Sequence, residues 1–491
     1  MTRQVSSPSS PARAAQGAFP YERAVVIGGS MVGLAVARAL CEHFREVVIV
    51  DRDRFPRDMP EHRRGVPQSW HIHNLTLRGQ NELEDLFPGF GAEAVALGAM
   101  QIDHALDVAA YTSLGWEPQF ESGFIALSAT RILLEFAERR RFHALMKNAT
   151  LLEETRVLDL ITEPRGDRLQ AVGVLTDHAE RPEIRADLVV DCAGRTSRWK
   201  EWLGQRNLPL PRETLVDSRC GYSSRFYRPH RPEDFTWKAM VVGSVYPHQP
   251  RWGVIIPLEN KEWVVTLGGF NGQYPPSDEA GFVEFAKNLQ TPLYYQAMQR
   301  AEPITPVRTF RRLEMRWNHF ESYDHPVARF MAIGDSAWAY NPLYGQGMSI
   351  GVTCARIMRD LLRTDPSLES LPTRYYPKAK KFAWDPWEAT ALLDMRWPET
   401  TGKRPWHAKF SIPVGEFIVE AGHTNRAVSM AMLQGIHLLK QPLQLLTPSV
   451  IAGVALYGMR KVVSALPPPN EYLYMPPALG EPATERTGEQ L

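Results

Sequence analysis

The segment that decides the fold is residues 23–33, which read Arg-Ala-Val-Val-Ile-Gly-Gly-Ser-Met-Val-Gly. A short apolar run that ends in glycines is typical of a strand buried on both faces and followed by a tight turn. Residues 31–44 then carry small and apolar side chains at helical spacing, and residues 46–50 form a second apolar run that ends at Asp51. Strand, glycine turn, helix and strand within about 30 residues predict a βαβ unit, and therefore a parallel sheet.

The glycine turn has the spacing of a dinucleotide-binding site. Such a site needs a tight turn, close approach of the backbone to a diphosphate, and close packing of the helix on the strand. Gly28 and Gly33 take the first and third glycine positions, and the small residue Ser30 takes the second. Asp51 ends the second strand, where a carboxylate can accept hydrogen bonds from a ribose. A glycine-rich turn that binds no nucleotide is the alternative interpretation.

A second strand followed by a glycine-rich helix start lies late in the chain. Residues 329–333 form an apolar run that leads to Gly334 and Asp335, and residues 341–348 read Asn-Pro-Leu-Tyr-Gly-Gln-Gly-Met. A helix is expected over residues 346–362. Asp335 can bind ribityl hydroxyl groups, and the backbone N–H groups at 345–348 direct a helix dipole at an anion. Reduced flavin carries a negative charge, so it is an anion that these N–H groups would stabilise.

In this order the segments resemble those of the class A FAD-dependent monooxygenases, the family with the para-hydroxybenzoate-hydroxylase-like fold, and among them the epoxidase and squalene-epoxidase-like members. The resemblance covers about residues 22–390. It includes Thr130-Arg131, which head an expected helix, and Arg-Gly-Val-Pro-Gln at residues 64–68, similar to the loop that wraps the isoalloxazine. The resemblance implies FAD as the cofactor. The residues that it places at FAD are Gly28, Ser30, Gly33, Asp51, Arg52, Arg64, Val66, Arg131, Gly194, Asp335, Pro342, Gly345, Gly347 and Met348.

One family motif is altered. Residues 186–198 resemble the Asp-Gly motif that serves both FAD and NAD(P)H in this family, but Ala193 stands where the aspartate is expected, whereas Gly194 and Arg198 are present. The change bears on the hydride donor more than on the flavin. The resemblance implies direct use of NAD(P)H, with a separate reductase as the alternative source of electrons.

The expected fold is α/β with an α+β substrate domain. A Rossmann-like FAD-binding domain with a parallel sheet is interleaved with an antiparallel-sheet substrate domain and followed by a helical C-terminal region. The runs at 252–258 and 263–268 predict an antiparallel hairpin in the substrate domain. The expected division is a disordered leader at 1–20, FAD-binding parts at 21–90, 126–205 and 326–385, substrate-domain parts at 91–125 and 206–325, a helical C-terminal region at 386–466, and a loose tail at 467–491.

Composition and charge narrow the functional classes. The chain has 56 Lys and Arg against 55 Asp and Glu, a net charge of +1, so the whole sequence offers no electrostatic footprint for nucleic acid. The four cysteines are far apart and suggest neither disulfides nor a zinc cluster, so no metal is expected and a cytoplasmic location fits best. They are Cys41, Cys192, Cys220 and Cys354.

No transmembrane segment is expected. The most apolar late stretch, residues 450–457, is far short of the roughly 20 residues that span a bilayer. Ordinary helix packing is the favoured interpretation of residues 430–446. The alternatives are an apolar lid and peripheral contact with a membrane surface.

The leading functional hypothesis is a monooxygenase. As the resemblance implies, a flavin C4a-hydroperoxide would transfer one oxygen atom from O₂ to a lipophilic small molecule, by epoxidation of an alkene or polyene or by hydroxylation in secondary metabolism. Epoxidation of an alkene requires no protein base, whereas an aromatic substrate would call for a group that polarises a phenol, and no catalytic side chain is identified in the sequence. Pocket candidates are Pro342, Gln68 and Trp252.

Three alternatives remain open. An FAD-dependent reductase or dehydrogenase of the geranylgeranyl-reductase type would move hydride without oxygen insertion, and a flavoprotein binding module would show no turnover. A flavin-dependent halogenase is less favoured. Residues 252–257 keep the first tryptophan and the closing Ile-Pro of the halogenase segment but lack its second tryptophan, and the first lysine of the chain is Lys147, too late to match the halogenase lysine.

Overall fold

The computed structural model describes residues 19–311 and 313–463. The expected tail at 467–491, and all but the last two residues of the expected leader at 1–20, lie outside this part of the chain. The helices are α1 (Met31–Leu40), α2 (Leu77–Leu86), α3 (Phe90–Ala96), α4 (Arg131–Leu145), α5 (Trp199–Gln205), α6 (Glu279–Lys287), α7 (Pro292–Gln299), α8 (Gly347–Thr364), α9 (Leu371–Asp394), α10 (Ala408–Thr424), α11 (Arg426–Ile436), α12 (Pro442–Leu445) and α13 (Pro448–Val462).

The strands are short and numerous. They are β1 (Tyr21–Ile27), β2 (Phe44–Val50), β3 (Met100–Asp103), β4 (Val108–Thr112), β5 (Gly115–Trp116), β6 (Ile125–Ser128), β7 (Ala149–Leu152), β8 (Val157–Arg165), β9 (Arg168–Thr176), β10 (Glu183–Arg185), β11 (Leu188–Asp191), β12 (Glu213–Asp217), β13 (Gly221–Pro229), β14 (Ala239–Val242), β15 (Arg251–Pro257), β16 (Trp263–Gly269), β17 (Ala301–Pro303), β18 (Arg308–Phe310), β19 (Met315–Asn318), β20 (Val327–Ala328), β21 (Phe330–Ala332), β22 (Trp338–Ala339) and β23 (Thr401–Gly402).

The predicted parallel sheet is confirmed. Five strands run in the order β21-β11-β1-β2-β7, and every neighbouring pair is parallel. The apolar side chains of β1 and β2 are buried on both faces, which is why both strands read as continuous apolar runs. Because all five strands point the same way, the segments that follow β1, β2, β11 and β21 meet at one edge of the sheet.

The region expected to form the substrate domain is built on a separate eight-stranded sheet. Its main path is β17-β13-β16-β15-β14-β4-β5, with β18 also paired to β13. The predicted hairpin is confirmed as β15 and β16, which are antiparallel and joined by a turn at Glu259–Lys261. One pair departs from the antiparallel expectation, since β14 and β4 are parallel. The mixed α/β fold class predicted from the sequence is confirmed.

Helix α9 runs across the boundary expected between the FAD-binding part at 326–385 and the helical C-terminal region at 386–466. Pro377 and Pro386 both lie inside it, so the expected boundary at residue 386 falls within a helix. A proline removes one helical hydrogen bond, and here packing outweighs that loss. Trp387 donates its Nε1–H to the carbonyl oxygen of Ala339 at 3.2 Å, and Trp384 stacks on Trp387 with ring centroids 5.3 Å apart.

The C-terminal helices α10, α11 and α13 form a small unit with its own apolar core, which contains Ala421, Val428, Val450 and Tyr457. Gly453 of α13 lies against Asn425, directly after α10, while Gly458 of α13 lies against Phe417. Helices α10 and α13 therefore run antiparallel. In the described part of the chain, no helix combines the length and the apolar character needed to cross a membrane.

Candidate functional site

The glycine turn between β1 and α1 brings backbone against backbone. Gly28 has a φ of +94°, and a Cβ atom there would lie 2.7 Å from the carbonyl oxygen of Cys192. A Cβ atom on Gly33 would lie 1.8 Å from the carbonyl oxygen of Gly28. Only glycine fits at both places. Helix α1 can therefore approach the turn closely and direct its first N–H groups at a phosphate.

Asp51, the residue predicted to bind a ribose, also holds this turn. Its Oδ2 atom accepts a hydrogen bond from the backbone N–H of Gly29 at 2.7 Å, and its Oδ1 atom accepts one from the N–H of Asp53 at 2.9 Å. Burial raises the pKa of Asp51, although Arg63 opposes the shift. The carboxylate thus shapes the glycine turn, and its contact with a ribose stays a prediction, as does that of the neighbouring, exposed Arg52.

Ser30 connects the glycine turn to helix α4. Its Oγ atom accepts a hydrogen bond from Arg131 Nη2 at 2.6 Å and donates one to Glu135 Oε2 at 2.8 Å. Glu135 also pairs with Arg63, and Arg139 Nη1 lies 3.7 Å from Glu135 Oε1. Burial alone would raise the pKa of Glu135, but the three arginines hold it below its ordinary value. One glutamate is therefore surrounded by three cations.

The cluster includes a guanidinium nitrogen that is available to an anionic ligand. The Nη1 atom of Arg131 is buried and has no hydrogen-bond partner. Glu138 is fully buried two helical turns along α4, and burial raises the pKa of its carboxyl group well above its ordinary value, which disfavours the charged form that would pair with Arg131. An unpaired guanidinium nitrogen is costly to bury. A diphosphate at the N-terminus of α1 would satisfy it, so the residues present fit the adenosine-diphosphate half of FAD.

The second predicted segment forms another part of the same sheet edge. Asp335 follows β21, and its side chain is 39% exposed with Oδ2 3.5 Å from Arg195 Nε. The positions that Cβ atoms would take on Gly194 and Gly347 lie 4.0 Å from Asp335 Cβ and 3.7 Å from Asp335 Oδ1. Two glycines from separate segments thus leave room around this carboxylate. The arrangement fits the ribityl hydroxyl groups that the sequence assigned to Asp335.

Asp191 explains how the altered Asp-Gly motif keeps its shape. This residue is fully buried at the end of β11, and its Oδ1 atom accepts hydrogen bonds from the N–H of Ala193 at 2.8 Å and from Ser336 Oγ at 3.0 Å. Its Oδ2 atom accepts another from Ser197 Oγ. A carboxylate two residues earlier therefore holds the loop at 193–197 against the segment of Asp335, although Ala193 cannot.

The loop at 341–345 is held by a carboxylate that the sequence did not reveal. Asp394, the last residue of α9, is buried, and Asn341 donates Nδ2–H to its Oδ2 atom at 2.9 Å. Tyr344 donates its hydroxyl hydrogen to Oδ1 at 2.8 Å, and Ser218 donates to Oδ2 at 3.0 Å. Burial raises the pKa of Asp394 to about 6. Gly345 completes the loop with a φ of +63°.

The other predicted residues of this segment lie around that loop. Pro342 is the first residue of a short 3-10 turn, and Gly347 begins α8. Met348 packs against the main core under the parallel sheet. These residues share the edge at which Asp335 lies, and their contact with FAD stays a prediction.

In the segment at 63–73, Arg63 contacts the cluster around Glu135, whereas the family resemblance places Arg64 at FAD. Arg63 is buried and pairs with Asp53 at 3.0 Å, whereas Arg64 is exposed. Val66 is buried beside this cluster and, with Arg131, lines a small cavity. Gln68 is half-buried, and its carbonyl oxygen accepts a hydrogen bond from the N–H of His71.

The pocket candidate Trp252 belongs to an apolar aromatic cluster. Its ring centroid lies 6.3 Å from that of Tyr222, which in turn stacks on Phe310 at 5.7 Å. Leu343, from the loop at 341–345, packs against the same cluster. The structure therefore brings Trp252 and the segment of Pro342 together. Gln68 is not among the residues of this cluster.

His71 links the loop at 63–73 to strand β13 of the eight-stranded sheet. Its ring contacts Tyr222 edge-on at 4.9 Å, and its Nδ1 atom forms a hydrogen bond of 2.9 Å with Ser224 Oγ. Ser224 Oγ continues to Thr266 Oγ1 at 2.8 Å. Burial lowers the pKa of His71 to about 4, so the imidazole is neutral near pH 7.

Four residues of this site were missed by sequence reasoning, namely Arg63, Glu135, Asp191 and Asp394. A signal existed for two of them. Asp191 ends an apolar run in the same way as Asp51, and Glu135 lies four residues after Arg131 on one helix face. Nothing in the sequence separates Arg63 from Arg64, or marks Asp394 among the other acidic residues.

These features define a class of protein: flavoproteins that hold FAD at the carboxyl edge of a parallel sheet and place a second, mostly antiparallel sheet beside it. The sequence model of the FAD binding domain matches residues 22–362. The chain belongs to this family, that of the class A FAD-dependent monooxygenases. It is therefore an FAD-dependent oxidoreductase.

Individual proteins resemble this chain in sequence or in fold. Protein Rv3254 from Mycobacterium tuberculosis is 30% identical over 399 residues, which cover 78% of this chain and 82% of that protein. The flavin-dependent brominase Bmp2 matches with a TM-score of 0.61 at 13% identity and covers 90% of this chain and 99% of its own. The p-nitrophenol 4-monooxygenase PnpA from Pseudomonas putida DLL-E4 matches with a TM-score of 0.60 at 17% identity and covers 86% and 99%. The two solved structures show the shared fold alone.

Removing the Asp335 carboxylate should strip the protein of flavin. Charge-assisted hydrogen bonds contribute about 1.5–3 kcal/mol each, so Asp335→Ala should weaken FAD binding by roughly 10- to 100-fold. Equilibrium titration of the flavin-free protein with FAD, followed by flavin fluorescence, measures the effect. Glu284→Ala, an exposed acid on α6, is the control and should bind FAD like the wild type. Unchanged affinity in Asp335→Ala would remove this residue from the site.

Ionisation of Asp394 should destabilise the fold as the pH rises. Its folded-state pKa of about 6 lies above the ordinary value of 3.8, so the folded state holds this proton more tightly than the unfolded state does. A shift of about two units corresponds to at most about 3 kcal/mol. The stability of the wild type relative to Asp394→Asn should therefore fall as the pH rises from about 4 to about 7.

Urea unfolding of both FAD-loaded proteins across this pH range, followed by tryptophan fluorescence, measures the difference in the free energy of unfolding. Asp385→Asn, a partly exposed acid on the same helix, is the control and should track the wild type at every pH. A pH-independent difference between the wild type and Asp394→Asn would contradict the assignment of this titration to Asp394.

Proposed function

We propose that the protein inserts one oxygen atom from O₂ into a lipophilic small molecule, by epoxidation of an alkene or polyene or by hydroxylation. The observation that carries this proposal is the apolar cluster of Tyr222, Trp252, Phe310 and Leu343, which borders the loop at 341–345. Concave sites lined by aromatic side chains with few polar groups recognise apolar ligands. A cluster of apolar aromatic side chains beside the flavin segment therefore favours a lipophilic substrate.

The protonation states of two polar side chains at this cluster, His71 and Tyr222, favour an uncharged substrate. His71 is neutral near pH 7 because burial lowers its pKa to about 4. Tyr222 keeps its proton because burial raises the pKa of its phenol. Near pH 7, His71 and Tyr222 can therefore donate or accept a hydrogen bond without carrying a charge, which suits an uncharged substrate. Epoxidation of an alkene needs no protein base, which agrees with this lining.

FAD, when bound, supplies the oxygen chemistry. The residues of the chain position and shield it. Arg131 and the N-terminus of α1 would hold the diphosphate, and Asp335 would hold the ribityl chain. Asp394 fixes the loop at 341–345 through Asn341 and Tyr344. The apolar side chains beside this loop exclude water, which protects reactive intermediates from side reactions.

The proposal includes NAD(P)H as the electron donor. The family resemblance supports direct reduction, and the loop at 193–197 keeps its shape through Asp191 even though Ala193 replaces the motif aspartate. A separate reductase would serve the same purpose. Consumption of NADPH or NADH by the purified, FAD-loaded protein distinguishes the two sources of electrons.

Isotope labelling of the product also tests two other functions, those of a reductase and of a halogenase. A reductase of the geranylgeranyl-reductase type would use this apolar cluster equally well, since its substrates are also lipophilic. A halogenase would share the fold that this chain has in common with the brominase Bmp2. In this chain the segment at 252–257 forms strand β15 and lacks the second tryptophan of the halogenase pattern.

Isotope labelling tests the proposal. The FAD-loaded protein is supplied with NADPH, labelled O₂ and a panel of terpenoid and polyene alkenes, with and without bromide, and the products are analysed by mass spectrometry. We expect a product that carries one labelled oxygen atom and does not depend on bromide. A saturated product without label would instead establish the reductase, and a brominated product would establish the halogenase. NADPH oxidation that yields only hydrogen peroxide with every alkene would contradict the proposed substrate class.

A further inference from the structure

The C-terminal helical unit presents apolar side chains to solvent at one end. Trp406 precedes α10 and is 80% exposed, and Val462 at the end of α13 is 85% exposed. Between them lie further large apolar side chains that are more than half exposed. We name the whole set the α10–α13 patch: Trp406, Phe410, Val414, Met459, Val462 and Val463.

The helix pairing places these residues next to one another. Trp406, Phe410 and Val414 are spaced by four residues, so they follow one side of the helical path. Helix α13 runs antiparallel to α10, with Lys461 Nζ 2.7 Å from Glu420 Oε2 and Gly458 against Phe417. The last turn of α13 is therefore level with the segment of α10 around Val414. Exposed apolar side chains of both helices therefore lie at the same end of the unit.

The same unit carries a strong positive charge. Residues 400–463 contain seven Lys and Arg but only two acidic residues, a net charge of +5, whereas the whole chain has +1. Lys403, Lys409, Arg460 and Lys461 are exposed beside the α10–α13 patch. Of the two acidic residues, Glu420 pairs with Lys461 and Glu416 lies 3.7 Å from Arg396, so Lys403, Lys409 and Arg460 supply the remaining positive charge beside the patch.

We propose that the α10–α13 patch binds the surface of an anionic lipid bilayer. Contiguous exposed apolar side chains mark interaction sites. Apolar and aromatic side chains bordered by lysines and arginines are the combination that lies in the bilayer interface, with apolar groups among the acyl chains and cations at anionic headgroups. Tryptophan suits this position because its ring is apolar and its N–H is polar. The overall charge of the chain conceals this local match.

The geometry also restricts the mode of binding. None of the described helices is able to cross a bilayer, so contact is limited to the interface. Arg426, at the start of α11, donates to the carbonyl oxygen of Glu121, and Gln441 donates to that of Lys381, so the unit is tied to the rest of the protein at positions outside the patch. A membrane contact there would hold the whole enzyme at a surface in which lipophilic compounds dissolve.

Vesicle co-sedimentation tests the proposal with the full-length, FAD-loaded protein. We expect binding to vesicles of phosphatidylcholine with phosphatidylglycerol, and at least tenfold weaker binding to vesicles of phosphatidylcholine alone. The double variant Trp406→Asp/Phe410→Asp should lose at least tenfold in affinity for the anionic vesicles, and Lys403→Glu/Lys409→Glu should lose much of the preference for anionic lipid. Leu210→Asp, at an exposed apolar residue outside this unit, is the control and should bind like the wild type.

The visible flavin spectrum of each variant reports folding, and the assay needs no turnover, so its result is independent of the proposed oxygenation. Equal binding to both kinds of vesicle, or to neither, would overturn the proposal. So would a concentration-dependent dimer in the wild type that Trp406→Asp/Phe410→Asp dissociates, because a second copy of the chain would then occupy the patch. A chain shortened to end at Val463 should still bind; loss of binding would assign the contact to residues 464–491.

Discussion

The close contact between Gly33 and Gly28 is the constraint on which the rest of the site depends. Any side chain at residue 33 would collide with the carbonyl oxygen of Gly28, so α1 meets β1 at a distance that only glycine permits. That contact fixes the direction of the helix. It places Ser30 within reach of Arg131 on α4, and it leaves the first turn of α1 facing the edge of the parallel sheet. Each later segment of the site is arranged around this position.

The cofactor site is held together by buried carboxylates that contact backbone or neutral groups. Asp51 accepts from Gly29, Asp191 from Ala193, and Asp394 from Asn341 and Tyr344. Asp51 and Asp394 each join a strand or helix end to a loop from another part of the chain, and Asp191 does so through Ser336. Because a buried carboxylate needs its donors, each loop is confined to one conformation. On α4, the Nη1 atom of Arg131 remains available for an anionic ligand.

The parallel sheet and its two glycine-rich segments could be predicted because their signals are local. A strand that ends in Gly28, and one that ends in Asp335, each carry the whole pattern within a dozen residues. Sequence reasoning was less informative where the structure depends on packing between segments that are distant in the chain. Helix α9 continues through Pro386 because Trp384 and Trp387 pack against the aromatic residues of other elements, which no local rule includes. The choice of Arg63 over Arg64 depends on which side of the loop faces Asp53.

The position of Asp394 has a consequence for the modularity of this enzyme. The match to the sequence model of the FAD binding domain ends at residue 362, yet the carboxylate that anchors the loop at 341–345 belongs to a helix that ends at residue 394. A chimera joined at the end of the family match would keep every glycine of the cofactor site and lose one of its supports. An intact graft of this domain onto another C-terminal region would need a junction beyond Thr400, whose side chain closes the end of α9 by donating to the carbonyl oxygen of Asp394.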